Sequence, residues 1–152
     1  MKTVEKAIEV TQPVNIVYNQ WTQFEDFPEF MEGVTDVRQL DDQRLYWSGE
    51  ILGKEFDWDA EIYEQVPDEC IKWRSTSGVH MAGAVYFTPQ GDKTLLRMVM
   101  DFEPEGFAEK TADALGFISA RVQTNLERFR EFLERRGRET GGWRGEIHST
   151  RA

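Results

Sequence analysis

Two histidines, one cysteine and a row of carboxylates are the side chains of this 152-residue chain whose types and spacing bear most directly on catalysis. His80 follows a turn at Ser77-Gly78, and His148 lies near the C-terminus. Neither stands near a Gly-x-Ser-x-Gly elbow or a clustered His/Asp motif, so nucleophilic catalysis has little to build on, and His80 reads as a surface or rim residue. Asp57, Asp59 and Glu61 alternate strictly with apolar residues, which places all three on the polar face of one strand. Lys72 and Arg74 have matching parity on the adjoining strand, so a solvated cross-strand charge ladder is expected in place of an acid–base pair. A single cysteine, Cys70, excludes an internal disulfide and a cysteine-cluster metal site, and Asp41-Asp42 reads as a turn. No glycine loop suited to phosphate appears. Neither a metal nor a cofactor is expected.

The aromatic residues carry more information. There are five Trp, ten Phe and four Tyr. Trp47, Trp58 and Trp73 fall on inward parity in three successive strands and face the same interior as Val85, Phe87, Met98 and Met100. Each buried indole N–H needs an acceptor. Ser75 and Ser119 are among the few polar groups of inward parity. A cavity holding an apolar or aromatic ligand, or water, would supply acceptors; an ordinary aromatic core with every N–H bonded internally is the alternative. The two methionines suit an adaptable lining and also suit a filled core.

The elements that must position these residues can be read from periodicity. Thr3 to Val10 alternates as a half-buried strand, Pro13 opens a short helix through Val14, Val17, Tyr18 and Trp21, and a second helical piece runs from Glu25 to Met31. Six period-two segments follow between Val34 and Phe102, joined by short turns such as Gly53-Lys54, Pro67-Asp68 and Gly91-Asp92, and such turns mean antiparallel pairing. Phe107 to Arg136 then repeats Ala108, Ala112, Leu115, Ser119, Val122, Leu126, Phe129 and Leu133 at helical spacing, with Arg121 among the charged residues standing off that face. Gly137 is its expected stop. The face is small in its first half and large in its second, which can seal a core at one end and leave room at the other. A polar sheet face outside and an apolar face inside leave this helix as the only cover for the sheet. One domain over residues 1–136 is expected, with 137–152 as a flexible polar tail. Phe117 lies opposite Ser119, so contact with the short helices, a loop or a second copy in a homodimer is expected of it.

This order resembles the helix-grip fold of the START-like, birch-pollen-allergen-like superfamily, SRPBCC, and within it the bacterial branch labelled polyketide cyclase/dehydrase. The residues that carry the resemblance are Ala7-Ile8-Glu9-Val10 with Pro13-Val14, Val17-Tyr18 with Trp21, and Phe24 to Met31. They continue through Trp58-Asp59-Ala60-Glu61-Ile62, Val66-Pro67, Ile71 to Ser75 with Gly78, Val85-Tyr86-Phe87 and Leu126-Glu127-Arg128-Phe129. The resemblance implies an α+β fold in which a seven-stranded curved antiparallel sheet wraps a long C-terminal helix, with two short helices after the first strand. Its members include lipid and hormone carriers, quinone-binding proteins and aromatic polyketide cyclases.

The expected function is therefore binding of a small hydrophobic molecule, of polyketide, quinone or lipid type, between sheet and C-terminal helix. Its lining is expected to draw on Phe27, Phe30, Trp47, Trp58, Trp73, Ser75, Val85, Phe87, Met98, Met100, Ala112, Leu115 and Ser119. A cyclase/dehydratase acting in the same cavity and a protein-interaction domain without ligand are the alternatives. The net charge of −10 argues against nucleic acid or an anionic membrane as partner. Charged residues make up 30% of the chain and the mean hydropathy is −0.59; no apolar run is long enough to span a bilayer, and the N-terminus lacks a signal-peptide core. A cytoplasmic location is expected.

Overall fold

Left-handed backbone at Gly53, Asp68 and Gly91, with φ of +81°, +64° and +67°, turns one strand back along the next. Glycine takes such values without strain, and aspartate tolerates them better than most residues. The computed structural model describes residues 2–51, 53–78, 80–103 and 111–148, the side chains of 51 and 111–115 excepted. The helix start expected at Phe107 and Ala108 lies outside the described residues.

The chain runs β1 (Lys2–Val10), α1 (Val14–Trp21), a 3₁₀ helix (Phe24–Glu29), β2 (Val34–Gln39), β3 (Arg44–Ile51), β4 (Lys54–Val66), β5 (Cys70–Gly78), β6 (Met81–Gln90), β7 (Lys93–Phe102) and α2 (Thr111–Arg136). The seven strands form one sheet in the order β1-β7-β6-β5-β4-β3-β2, every neighbouring pair antiparallel. β1 enters the sheet beside the last strand, with Lys2 opposite Phe102 and Val10 opposite Thr94. The curled sheet and the long helix make the helix-grip architecture. Leu126, Phe129 and Leu133 of α2 are fully buried. Gly137, at φ +79°, donates its N–H to the Leu133 carbonyl at 2.9 Å and so ends the helix where a left-handed residue is needed.

Three details differ from the sequence expectation. The buried stripe of α2 runs through Ile118 and Val122, while Ser119 is only half-buried. The expected ladder on the outer face forms only in part. Arg74 meets Glu61 at 2.9 Å, but a register shift between Ile62 and Glu64 turns Lys72 toward Glu64 at 3.7 Å, and Asp57 and Asp59 instead accept hydrogen bonds from the hydroxyls of Tyr46 and Ser77. The third concerns the segment after Gly137, which as far as His148 is docked and not a free tail. Thr140 hydrogen-bonds Gln20 and Asp26, Trp143 N–H donates to the Thr22 hydroxyl, Arg144 pairs with Asp68 at 2.7 Å, and Ile147 is buried in a two-bond bridge to Gln65. Its polar composition is spent on the polar edges of α1 and the β4–β5 turn.

Candidate ligand cavity

The two ends of α2 meet the sheet differently. Around Phe129 the interior is filled with rings: Trp21 at 4.8 Å and Phe30 at 5.4 Å from the Phe129 centroid, with Phe87 against Tyr18 at 5.2 Å. Toward Ile118 the side chains do not close up, and a cavity of about 120 Å³ remains between sheet and helix. An apolar cavity of roughly 150 Å³ holds a benzene ring, so this conformation has room for about one ring.

The sheet supplies Trp47, Trp58, Trp73, Met98 and Met100 to the wall; the helices supply Phe27, Ile118, Val122 and Leu126. Trp47 and Trp58 are directly opposed in register, and their rings lie parallel at 6.1 Å. Phe27 leans on Trp47 at 5.6 Å. Trp73 lies flat across Gly83, its register partner on β6, where a Cβ would stand only 2.7 Å from Cε2 of the indole. Glycine at 83 is thus what lets the ring lie down on the sheet. The Nε1–H of Trp47 is buried and has no hydrogen-bond partner among the described residues. An unsatisfied buried donor costs about 1–3 kcal/mol.

Of the residues expected to line a site, the structure thus brings together Phe27, Trp47, Trp58, Trp73, Met98 and Met100. Phe30 belongs to the filled end, against Phe129 and Phe132, and so does Phe87. Val85 is fully buried between Ile71 and Met98 in register. The Ser75 hydroxyl accepts the Met81 N–H at 3.0 Å and serves the β5–β6 connection. Ser119 is not part of the wall, and the side chains of Ala112 and Leu115 lie outside the described residues.

Sequence reasoning missed the polar end of the cavity. Arg121, expected to stand off the buried face of α2, donates from Nη1 to the main-chain carbonyls of Glu32 at 3.0 Å and Glu50 at 3.2 Å. Asn125, one turn on, accepts the Glu32 N–H at 2.8 Å. Both side chains line the cavity, and Glu32 and Glu50 are exposed, so the space meets the surface here. Only the i, i+4 spacing of Arg121 and Asn125 hints at a shared target. Phe117 is half-buried at the core's margin, and its ring lies under the Arg121 guanidinium at 4.6 Å, a contact within its own helix.

The remaining reactive groups do not point to a nucleophile. Burial, with the Glu64 carboxylate beside it, raises the Cys70 thiol to about 11, and burial raises the Tyr18 phenol to about 12. His80 is exposed, in a separate open groove with Asp57 and Glu103, and His148 pairs with Glu146 at 2.9 Å. Among the described residues no group of His, Cys, Asp and Glu is arranged to hold a metal. The raised values give a prediction. The folded chain keeps protons that the unfolded chain releases at its ordinary values of 9.0 and 10.0, so this contribution to stability is intact below about pH 9 and is lost as pH rises toward 11 to 12. Urea midpoints across pH 8–11 should fall, and fall less steeply in Cys70→Ala.

The site and its scaffold define a helix-grip domain with an internal apolar cavity opening at one polar rim. The chain belongs to the family described as "Polyketide cyclase / dehydrase and lipid transport", whose model matches residues 10–130. It is 46% identical over 149 residues to an uncharacterized 17.2 kDa protein from the melC2-rnhH intergenic region of Streptomyces lincolnensis, covering 97% of this chain and 99% of that one. Among solved structures it resembles the Zhui aromatase/cyclase of Streptomyces sp. R1128, with a TM-score of 0.72 at 21% identity over 93% of this chain and 99% of that one. It also resembles a START superfamily protein of Mycobacterium smegmatis, with a TM-score of 0.68 at 20% identity over 88% and 95% of the two chains. At these identities the two structures speak for the fold. No described helix is long and apolar enough to cross a membrane.

Proposed function

We propose that the domain binds a small hydrophobic, ring-bearing molecule in the cavity between its sheet and α2, and does so in the cytoplasm. The observation that carries this reading is the unfilled space of about 120 Å³ whose wall includes four indoles and four methionines, beside a fully packed aromatic end. Close packing is the rule in protein interiors, and a void beside adaptable side chains is where a ligand gains dispersion contacts. A polyketide, a quinone or a lipid chain each offers an apolar body of this kind, and one larger than a ring requires the wall to move. Carriage is favoured over chemistry because the polar side chains of the wall, Glu32, Glu50, Arg121 and Asn125, gather at one end and leave the indoles facing apolar neighbours. The reading calls for no metal, cofactor or nucleic acid.

Native mass spectrometry of freshly purified protein should show a co-purified small molecule. Met98→Trp then provides the test, since the larger ring enters space that already exists. Its stability should stay within about 1 kcal/mol of the parent, against the roughly 1–3 kcal/mol of an overpacked core. Binding of a hydrophobic fluorescent probe should be lost. Probe binding equal in both proteins, with a large loss of stability in the variant, would rule out the cavity as the binding place.

A further inference from the structure

Arg121 is oddly placed for an arginine of this chain. Acidic residues outnumber basic ones 28 to 18, and Arg38, Arg44, Arg74, Arg97, Arg128, Arg135 and Arg144 each hold a carboxylate within 4.0 Å. Arg121, like Arg130, Arg136 and Arg138, holds none among the described residues, and of these four it alone donates to main-chain carbonyls and lines the cavity. Its Nη1 is shared between two main-chain carbonyls, and no hydrogen bond from Nε or Nη2 is present among the described residues. Two acidic residues share the rim, Glu32 and Glu50; Glu32 places its carboxylate on Arg128 at 3.7 Å, and neither carboxylate comes within 4.0 Å of the Arg121 guanidinium. Gly33, at φ +89°, makes the room: a Cβ there would stand 2.8 Å from Cζ of Arg121, so the guanidinium lies on bare backbone at the cavity's edge. Asn125 holds the same stretch of chain from the next turn of α2.

A guanidinium with donors to spare, fixed at the mouth of an apolar cavity, fits an oxyanion on a hydrophobic body. Its planar fork takes a carboxylate through two parallel bonds, and such charge-assisted bonds are about twice as strong as neutral ones. We propose that Arg121 is the head-group anchor of the cavity and that the ligand is a hydrophobic acid, its carboxylate on the guanidinium at the rim and its apolar body against Trp47, Trp58 and Trp73. The assignment rests on the cavity being the binding place.

The experiment compares 4-phenylbutyrate with 4-phenylbutan-1-ol, two molecules of similar body that differ in the head, by calorimetric titration at pH 7.5. The wild-type protein should bind the acid about tenfold or more tightly than the alcohol. That preference should shrink as salt is raised, because the pair at the rim is partly exposed. Arg121→Gln should remove the preference by weakening the acid alone, and Arg121→Lys should keep part of it. Equal binding of acid and alcohol by the wild type, or a preference that survives in Arg121→Gln, overturns the anchor while leaving the cavity reading intact. Binding of neither compound, with no co-purified molecule in the mass spectrum, overturns both. The salt series needs only the wild type, so a preference indifferent to salt counts against the anchor even if Arg121→Gln folds poorly.

Discussion

Leu126→Ala should destabilise the domain by about 2–5 kcal/mol, the range for truncating a fully buried leucine in a core that relaxes only in part. Leu126 is completely buried, and it stands at the boundary between the filled aromatic end of the interior and the cavity. On one side of it Phe129 packs against Trp21 and Phe30; on the other, Val122 and Ile118 face open space. The truncation therefore enlarges a void that is already there, and neighbouring side chains have little to lean on as they relax. Chemical denaturation with tryptophan fluorescence would measure the loss. A change below about 0.5 kcal/mol would mean that α2 does not grip the sheet at this position.

Gly83→Ala is expected to cost roughly 1–3 kcal/mol through overpacking, although it adds a single methyl group. The methyl would stand 2.7 Å from Cε2 of Trp73 and closer still to Cζ2, so the indole has to lift. Both neighbours of Gly83 in register, Trp73 and Met100, belong to the cavity wall, and the free direction for the ring is into the cavity. Probe binding should fall together with stability, and Trp73 emission should shift. A variant as stable as the parent, with unchanged binding, would show that the ring has another place to go.

The strands and their inward faces could be read from the chain because both are local properties. Alternation in Phe56 to Ile62 and turns at Gly53 and Gly91 need only neighbours in sequence, and the same holds for the stop at Gly137. Trp47, Trp58 and Trp73, three of the four indoles at the wall, have the inward parity that alternation gives; Trp21 comes from α1. Arg121 could not be read this way, because a side chain bonded to the carbonyls of Glu32 and Glu50, 89 and 71 residues away, leaves no periodic trace. The segment from Arg138 to His148 failed for a related reason. Its residues look like those of a free tail, but their partners, Asn19, Gln20, Thr22 and Gln65, are far away in sequence and were themselves unremarkable. Lys72 was assigned the wrong acid because a register shift at Ile62/Glu64 displaces the pairing beyond it. Serines 75 and 119 had the right parity for a wall, yet one is occupied by a main-chain N–H and the other lies beyond it.

The pairing of β1 with β7 sets the order of events when the chain folds. Lys2 has to find Phe102, so the first strand made has no partner in the sheet until the last has been synthesised. At a typical ~5–20 residues per second, β1 waits for several seconds at the ribosome while β2 to β6 can already form hairpins. Closing so long a loop delays the final sheet, and domains dominated by such distant contacts fold in about milliseconds to seconds where helical bundles take microseconds. The helix that covers the apolar face comes later still, ending at Arg136. During synthesis the indoles that later wall the cavity are therefore apolar surface open to sticking to another chain until α2 covers them.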